Sequence, residues 1–259
     1  MSGSGTGGPD AAVRPWEIGL ESVDFTFVHV HEGHDAAFNT WYENDHFYSG
    51  GVLGPGVLAG RRWYCSRALR ESRYTGSRAL FPQPELGTNL ATYFFTHGGG
   101  AAFKHWVEPQ LDIMWKTGRM FAERTIMNLS LYNFRRALAY VGASTVPPHV
   151  ALDHPFPGLV VTLCSGAWPG GRTGAPPRGS LTLAFERKPA YLPLKMPDLS
   201  PFDPVTLLLT FMPRPPKPDV ARIGAIARAV AKLAGAEPLW ASGFLPVVPG
   251  STRHLAELR

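Results

Sequence analysis

Four histidines stand near the start of the chain. His29, His31 and His34 have the spacing His-x-His-x-x-His, and His46 follows a little further on. An ordinary imidazole titrates near pH ~6.5, so each can carry a proton or, when neutral, ligate a metal. The metal reading lacks a partner, because no acidic residue completes an H-E-x-x-H pattern. No metal is therefore expected, and proton transfer is the chemistry that remains. His29 and His46 are the candidate catalytic residues. A histidine at a helix C-terminus is favoured in its charged form by the helix dipole, which is the setting expected for His46. Its neighbour Asp45 offers either a base or a partner for an arginine.

The elements that must position these groups follow from hydrophobic periodicity. Alternation predicts strands over 24–31, 56–66, 89–97 and 124–135. Phe38, Trp41, Tyr42 and Asp45 recur at helical spacing and predict a helix over 34–46 with one aromatic face. Phe103, Val107, Leu111 and Met114 predict a second helix over 100–120, which Pro109 should kink or restart. The order β-α-β-β-α-β is the ferredoxin-like one. Residues 67–87, rich in Arg, Ser, Gly and Pro, read as an exposed loop.

Successive strand residues point to opposite faces. Phe25, Phe27, His29 and His31 share one face of the first strand, while Thr26, Val28 and Val30 share the other. The fourth predicted strand divides in the same way, with Ile126, Asn128, Ser130 and Tyr132 against Met127, Leu129 and Leu131. Ala91, Tyr93, Phe95 and His97 group together on the third. The second turns inward either Arg61 and Trp63 or Arg62 and Tyr64. Placing the Phe/His face inward gives an aromatic-lined cavity carrying imidazole, phenol and amide groups, suited to a flat, partly polar organic molecule. Phe27, His31, Trp41, Tyr42, Arg61, Tyr93, Asn128 and Tyr132 are the expected substrate-binding residues. The alternative is that these polar groups satisfy one another in a filled core.

Trp41-Tyr42-x-x-x-His46 closes the first helix, and Pro55-Gly56 opens the next strand. That pattern resembles the ferredoxin-like half of the dimeric α/β-barrel superfamily, and within it the EthD-type and small polyketide-cyclase or monooxygenase-type members. The resemblance implies a barrel enclosing a pocket, and His46 bordering that pocket as a general acid or base. It implies an aromatic or polyketide-like substrate of secondary metabolism, handled by a lyase-type cyclase or dehydratase or by a cofactor-independent oxygenase. Haem peroxidases also use this architecture, but no haem motif is visible, and no cofactor is expected. The alternative is a non-catalytic ligand-binding or protein-interaction scaffold of the same fold.

The rest of the chain reads as a second, degenerate copy. Strands are predicted over 158–165, 180–187, 204–212 and 238–248, with a helix over 219–235 capped by Asp219 and Gly235. A Gly/Pro loop, 166–179, stands where the first helix would be. The expected fold is α+β: tandem ferredoxin-like halves forming an intrachain pseudo-dimeric barrel. Residues 1–15 are expected to be a disordered tail, 16–141 the first half, 142–157 a linker and 158–259 the second half.

Composition narrows the partners. The chain has 259 residues, 44% of them hydrophobic, enough for a sizeable core. Its formal net charge is +5, but the arginines are scattered, so no nucleic-acid groove is expected. Cys65 and Cys164 form no C-x-x-C motif. G-x-S-x-G, P-loop and G-x-G-x-x-G patterns are missing too, and His97-Gly-Gly-Gly100 reads as a strand-to-helix turn. No apolar run reaches the ~18 residues of a membrane span, and no signal peptide is visible, so a cytoplasmic location is expected. The expected partner is a small aromatic ligand, and a homodimer is compatible with the sequence.

Overall fold

A computed structural model describes residues 19–139, 146–167, 176–188 and 198–259. The chain begins with β1 (Ser22–Val30) and α1 (Asp35–Trp41), which runs on through π-helical turns at Tyr42–His46 and Tyr48–Val52. Next come β2 (Val57–Tyr64), α2 (Arg67–Glu71), β3 (Tyr74–Thr75), β4 (Asn89–Phe95), α3 (Gly99–Lys116) and β5 (Arg124–Ala139). The remainder contributes β6 (Gly158–Ser165), β7 (Leu181–Arg187), β8 (Val205–Met212), α4 (Val220–Ala234) and β9 (Glu237–Pro246).

The strands run in the order β2-β4-β1-β5-β7-β8-β6-β9, and β9 returns to β2 through Trp63↔Pro246 and Tyr64↔Leu245. Every pairing is antiparallel, so these strands close a barrel, with the two-residue β3 added on β9. Closure leaves the barrel strands no free edge. The fold is thus α+β around a closed antiparallel barrel. No described helix is long and apolar enough to cross a membrane.

Strands and helices lie close to where periodicity put them. Asp219 caps α4, accepting from the amides of Ala221 and Arg222 at 2.9 and 3.1 Å, and Gly235 ends it at φ +60°. α3 runs through Pro109 as one helix, so no new helix starts there. The expected tail, 1–15, and most of the Gly/Pro loop lie outside the described residues. The described part of the expected linker is packed, with Ala151, Leu152 and Phe156 buried.

Residues 67–87 are an exposed loop only in part: α2 and β3 form within them, and several of their side chains reach the core. Leu69, Leu80 and Phe81 are buried, and so is Arg73. Its guanidinium donates to the carbonyls of Pro84, Leu86 and Gly87 and to Ser242 Oγ, and lies 5.3 Å over the Trp240 ring. Carbonyl acceptors satisfy its donors in place of water, so a polar composition did not mean exposure.

The barrel interior is filled. Phe25 and Phe27 from β1 meet Trp63, Phe94, Tyr132, Phe185, Phe211, Trp240 and Phe244 in one core. Phe27 lies 5.4 Å from Trp240 and 5.8 Å from Phe244. Eight strands make an interior that side chains just fill. The face assignment for Phe25 and Phe27 was right, but the cavity expected inside the barrel is a packed core.

Helices cover the outer face on both sides. Over the second half, Ile223, Ala227, Val230, Ala231 and Ala234 of α4 press on Val160, Cys164, Ala184, Leu208 and Ala241. These side chains are small, so helix and sheet approach closely. Over the first half, Val28, Val30, Tyr93, Phe95 and Leu131 meet Phe38, Tyr42, Phe103 and Val107. Larger residues hold the layers apart there.

Candidate functional site

That separation opens a pocket of about 560 Å³ between the outer face of β1 and β5 and the layer of α1, the π turns and α3. Its floor is Asp24, Thr26 and Val28 from β1, with Arg124, Ile126 and Leu129 from β5. Phe103, Val107, Leu111 and Trp115 form the α3 wall, and Trp41, Tyr42 and His46 the opposite one.

A bulge decides which β5 residues reach the floor. Phe27 pairs with Asn128 and Val28 with Ile126, so Met127 is the extra residue. One inserted residue reverses the faces on either side of it. Ile126 therefore points outward with Leu129, and Met127 joins the barrel core. The sequence expectation, a strict alternation through 126–132, placed both on the wrong face.

The π turns build the polar end. Their wider i→i+5 turn brings side chains five apart onto one side, and the His46 ring stacks on Trp41 at 4.2 Å and 16°. Gly50 makes room, because a Cβ there would sit 2.6 Å from His46 Cε1. The Trp41 indole donates to the Arg119 carbonyl at 2.7 Å, and Asp45 pairs with the Arg119 guanidinium. Hydrogen bonds from Arg119 hold the Asp45 carboxyl below its usual range. Asp45 is thus an arginine partner in this fold.

Burial pushes His46 down to about 3, with the Arg124 charge adding to it. The helix-end dipole that should favour the charged ring is outweighed by desolvation. His46 is a neutral imidazole whose Nδ1 is buried without a partner among the described residues. Beside it the phenol oxygens of Tyr42 and Tyr93 lie 3.2 Å apart, sharing a hydrogen bond. Burial raises both pKa values, so both phenols stay protonated. A Cβ on Gly51 would sit 2.3 Å from Tyr93 Cε1, so glycine at this position sets the place of that ring.

Arg124 closes this end. Its guanidinium stands 4.8 Å over the Trp41 ring and donates to the Phe121 carbonyl and, at 3.3 Å, to Met120 Sδ. Burial brings its pKa down to about 10, so it remains a cation at neutral pH.

Trp41, Tyr42, His46 and Tyr93, all singled out in the sequence, are therefore brought together, outside the barrel. Tyr93 faces the helices with Ala91 and Phe95, where an inward face was expected. Phe27, Asn128 and Tyr132 are buried in the barrel, and Asn128 Nδ2 donates to Tyr132 Oη at 2.9 Å. His29 is half-buried apart from the pocket, and burial, with the charges of Arg70 and Arg259, lowers it to about 4. His31 is exposed, hydrogen-bonding Thr125 Oγ1 at 3.1 Å and lying 3.6 Å from Glu123. Among the described residues no three His, Cys, Asp or Glu side chains converge as a metal site would need. Arg61 borders a separate, more open pocket of about 570 Å³ and donates to the carbonyls of Leu152 and His154 at 3.0 and 2.6 Å.

Sequence reasoning did not pick out Arg124, and it read Phe103, Val107 and Leu111 as the apolar stripe of a helix. The available signal was the start of a predicted strand at Arg124, one turn of alternation from Ile126 and ahead of the bulge.

No known family matches the chain, and no curated protein does so. Among solved structures, a crystal structure provisionally named as a chlorite dismutase aligns over 90% of this chain and 97% of its own, with a TM-score of 0.49 and 11% identity.

Proposed function

We propose that this chain binds a flat, largely apolar small molecule in the pocket under α3. One observation carries the reading: largely aromatic and aliphatic walls surround about 560 Å³, with a few polar groups among them, of which His46, Tyr42, Tyr93 and Arg124 lie around Trp41 and Asp24, Thr26 and Glu108 lie elsewhere on the wall. A volume of that size is typical of small-molecule sites. The finer fold reading is that 16–141 and 158–259 are tandem ferredoxin-like halves of an intrachain dimeric α/β barrel, joined by 142–157, the second degenerate. It is supported by strand order: β2-β4-β1-β5 and β7-β8-β6-β9 each run second, third, first, fourth within their own set.

As an enzyme, the protein would act on an aromatic or polyketide-like substrate, as a cyclase, dehydratase or cofactor-independent oxygenase of the EthD-like kind. His46 would then serve as a neutral hydrogen-bonding imidazole, since a base with a pKa of about 3 is weak at neutral pH. The depressed pKa favours the second reading, a non-catalytic binding protein. The test is a titration of N-phenyl-1-naphthylamine, a neutral flat fluorophore, against the protein and against Leu111→Trp, which fills the pocket. Binding to the first and not the second supports the pocket; binding to neither, or equally to both, overturns it. Turnover of a panel of aromatic polyketide-like compounds, lost in His46→Gln, would favour the enzyme over the binder.

A further inference from the structure

We propose that the molecule held in this pocket is an aromatic acid whose anionic group, a carboxylate or sulfonate, is received by Arg124. The inference rests on the pocket being a ligand site and names the class of ligand. Arg124 is a half-buried cation that makes no ion pair with any described residue. Among the described residues it donates only to a backbone carbonyl and a thioether, which are neutral acceptors and leave donors of its five N–H groups without a described partner. Burying a guanidinium without a counter-charge is costly, and a bidentate carboxylate or sulfonate is the partner its planar fork fits.

The two carboxylates on the pocket wall stand elsewhere. Asp24 lies opposite Leu131 and accepts from Thr26 Oγ1 at 2.6 Å, whereas Arg124 lies opposite Val30 at the other end of the same strand pair. Glu108, on α3, is 4.0 Å from Lys104. His46 is neutral and adds no charge to compete with Arg124 for the anion. The indole of Trp41, fixed by the Arg119 carbonyl, lies beneath the guanidinium and stacks on His46. The apolar α3 wall faces this polar end, so an aromatic body beside Phe103, Val107 and Leu111 would carry its acid group toward Arg124.

The test compares two fluorophores that share one framework: 1-anilinonaphthalene-8-sulfonate and its uncharged parent, N-phenyl-1-naphthylamine. Each is titrated against the unmodified protein, Arg124→Gln and Arg124→Lys, with near-ultraviolet circular dichroism to establish native packing. The sulfonate should bind at least tenfold more tightly than the neutral parent. Arg124→Gln should erase that preference by lowering the affinity for the sulfonate about tenfold more than the affinity for the parent, and Arg124→Lys should keep part of it. Equal affinities for the two probes, or a preference that survives in Arg124→Gln, would overturn the anion assignment and leave the pocket standing. Failure of both probes to bind the unmodified protein would overturn the pocket itself, and the assignment with it. If Arg124→Gln loses native packing, Arg124→Met, which keeps an apolar stem without the charge, decides by the same reading: a preference erased there supports the assignment, and one that survives overturns it.

Discussion

The neutral state of His46 makes acid a specific threat to this fold. An imidazole has a pKa near 6.5 when unfolded, and in the folded chain His46 lies at about 3. The folded value is the lower one, so the folded state is favoured while the ring is neutral. That contribution is complete above pH ~6.5 and is withdrawn as pH falls toward the folded value. At pH 5 the unfolded state gains a proton that the folded one does not, and the loss from this one residue is about 2 kcal/mol. His46→Gln keeps a polar side chain but has nothing to titrate. Urea unfolding at pH 8 and pH 5 should therefore show a drop in stability that is smaller in His46→Gln by about 2 kcal/mol. His29 also sits below its ordinary range, but it is present in both proteins and cancels in the comparison. The same pH dependence in both would refute the buried, neutral ring stacked on Trp41.

Two further outcomes follow from packing. Phe27→Ala removes a fully buried ring that touches Trp240 and Phe244, and should cost about 3–5 kcal/mol in denaturant unfolding; a loss under ~1 kcal/mol would mean that the barrel holds a cavity after all. Gly51→Ala puts a methyl group 2.3 Å from the Tyr93 ring, and should cost about 1–3 kcal/mol and weaken binding of the neutral fluorophore, whereas an unchanged midpoint would show that Tyr93 has room to move.

Much of the fold was legible because alternation and helical periodicity are strong in this chain. The strand at 205–212 and the capped helix at 220–234 need only local pattern and two end residues to be placed. What escaped depends on single residues acting against the pattern. Met127 is one extra residue, and nothing in its chemistry announces that it will flip the strand around it. The π turns after Trp41 run through Gly50 and Gly51, which read in the sequence as a turn, and only their tight fit on His46 and Tyr93 shows what they accomplish. Arg73 made 67–87 look solvated, although its partners are carbonyls of that same segment. The aromatic residues of the first helix were correctly singled out, but alternation alone says nothing about which face of a sheet leaves a gap. Here large side chains fill the barrel, and the space appears where α3 and the π turns stand off from the sheet.

The central claim is that the ligand site lies on the outer face of the first four barrel strands and not within the barrel. A crystal structure of the protein soaked with 1-anilinonaphthalene-8-sulfonate tests it most directly. The account predicts density for the aromatic rings between Trp41 and α3, with the sulfonate at Arg124. Density among Phe27, Trp63 and Trp240 inside the barrel, or only beside Arg61 in the second pocket, would contradict it.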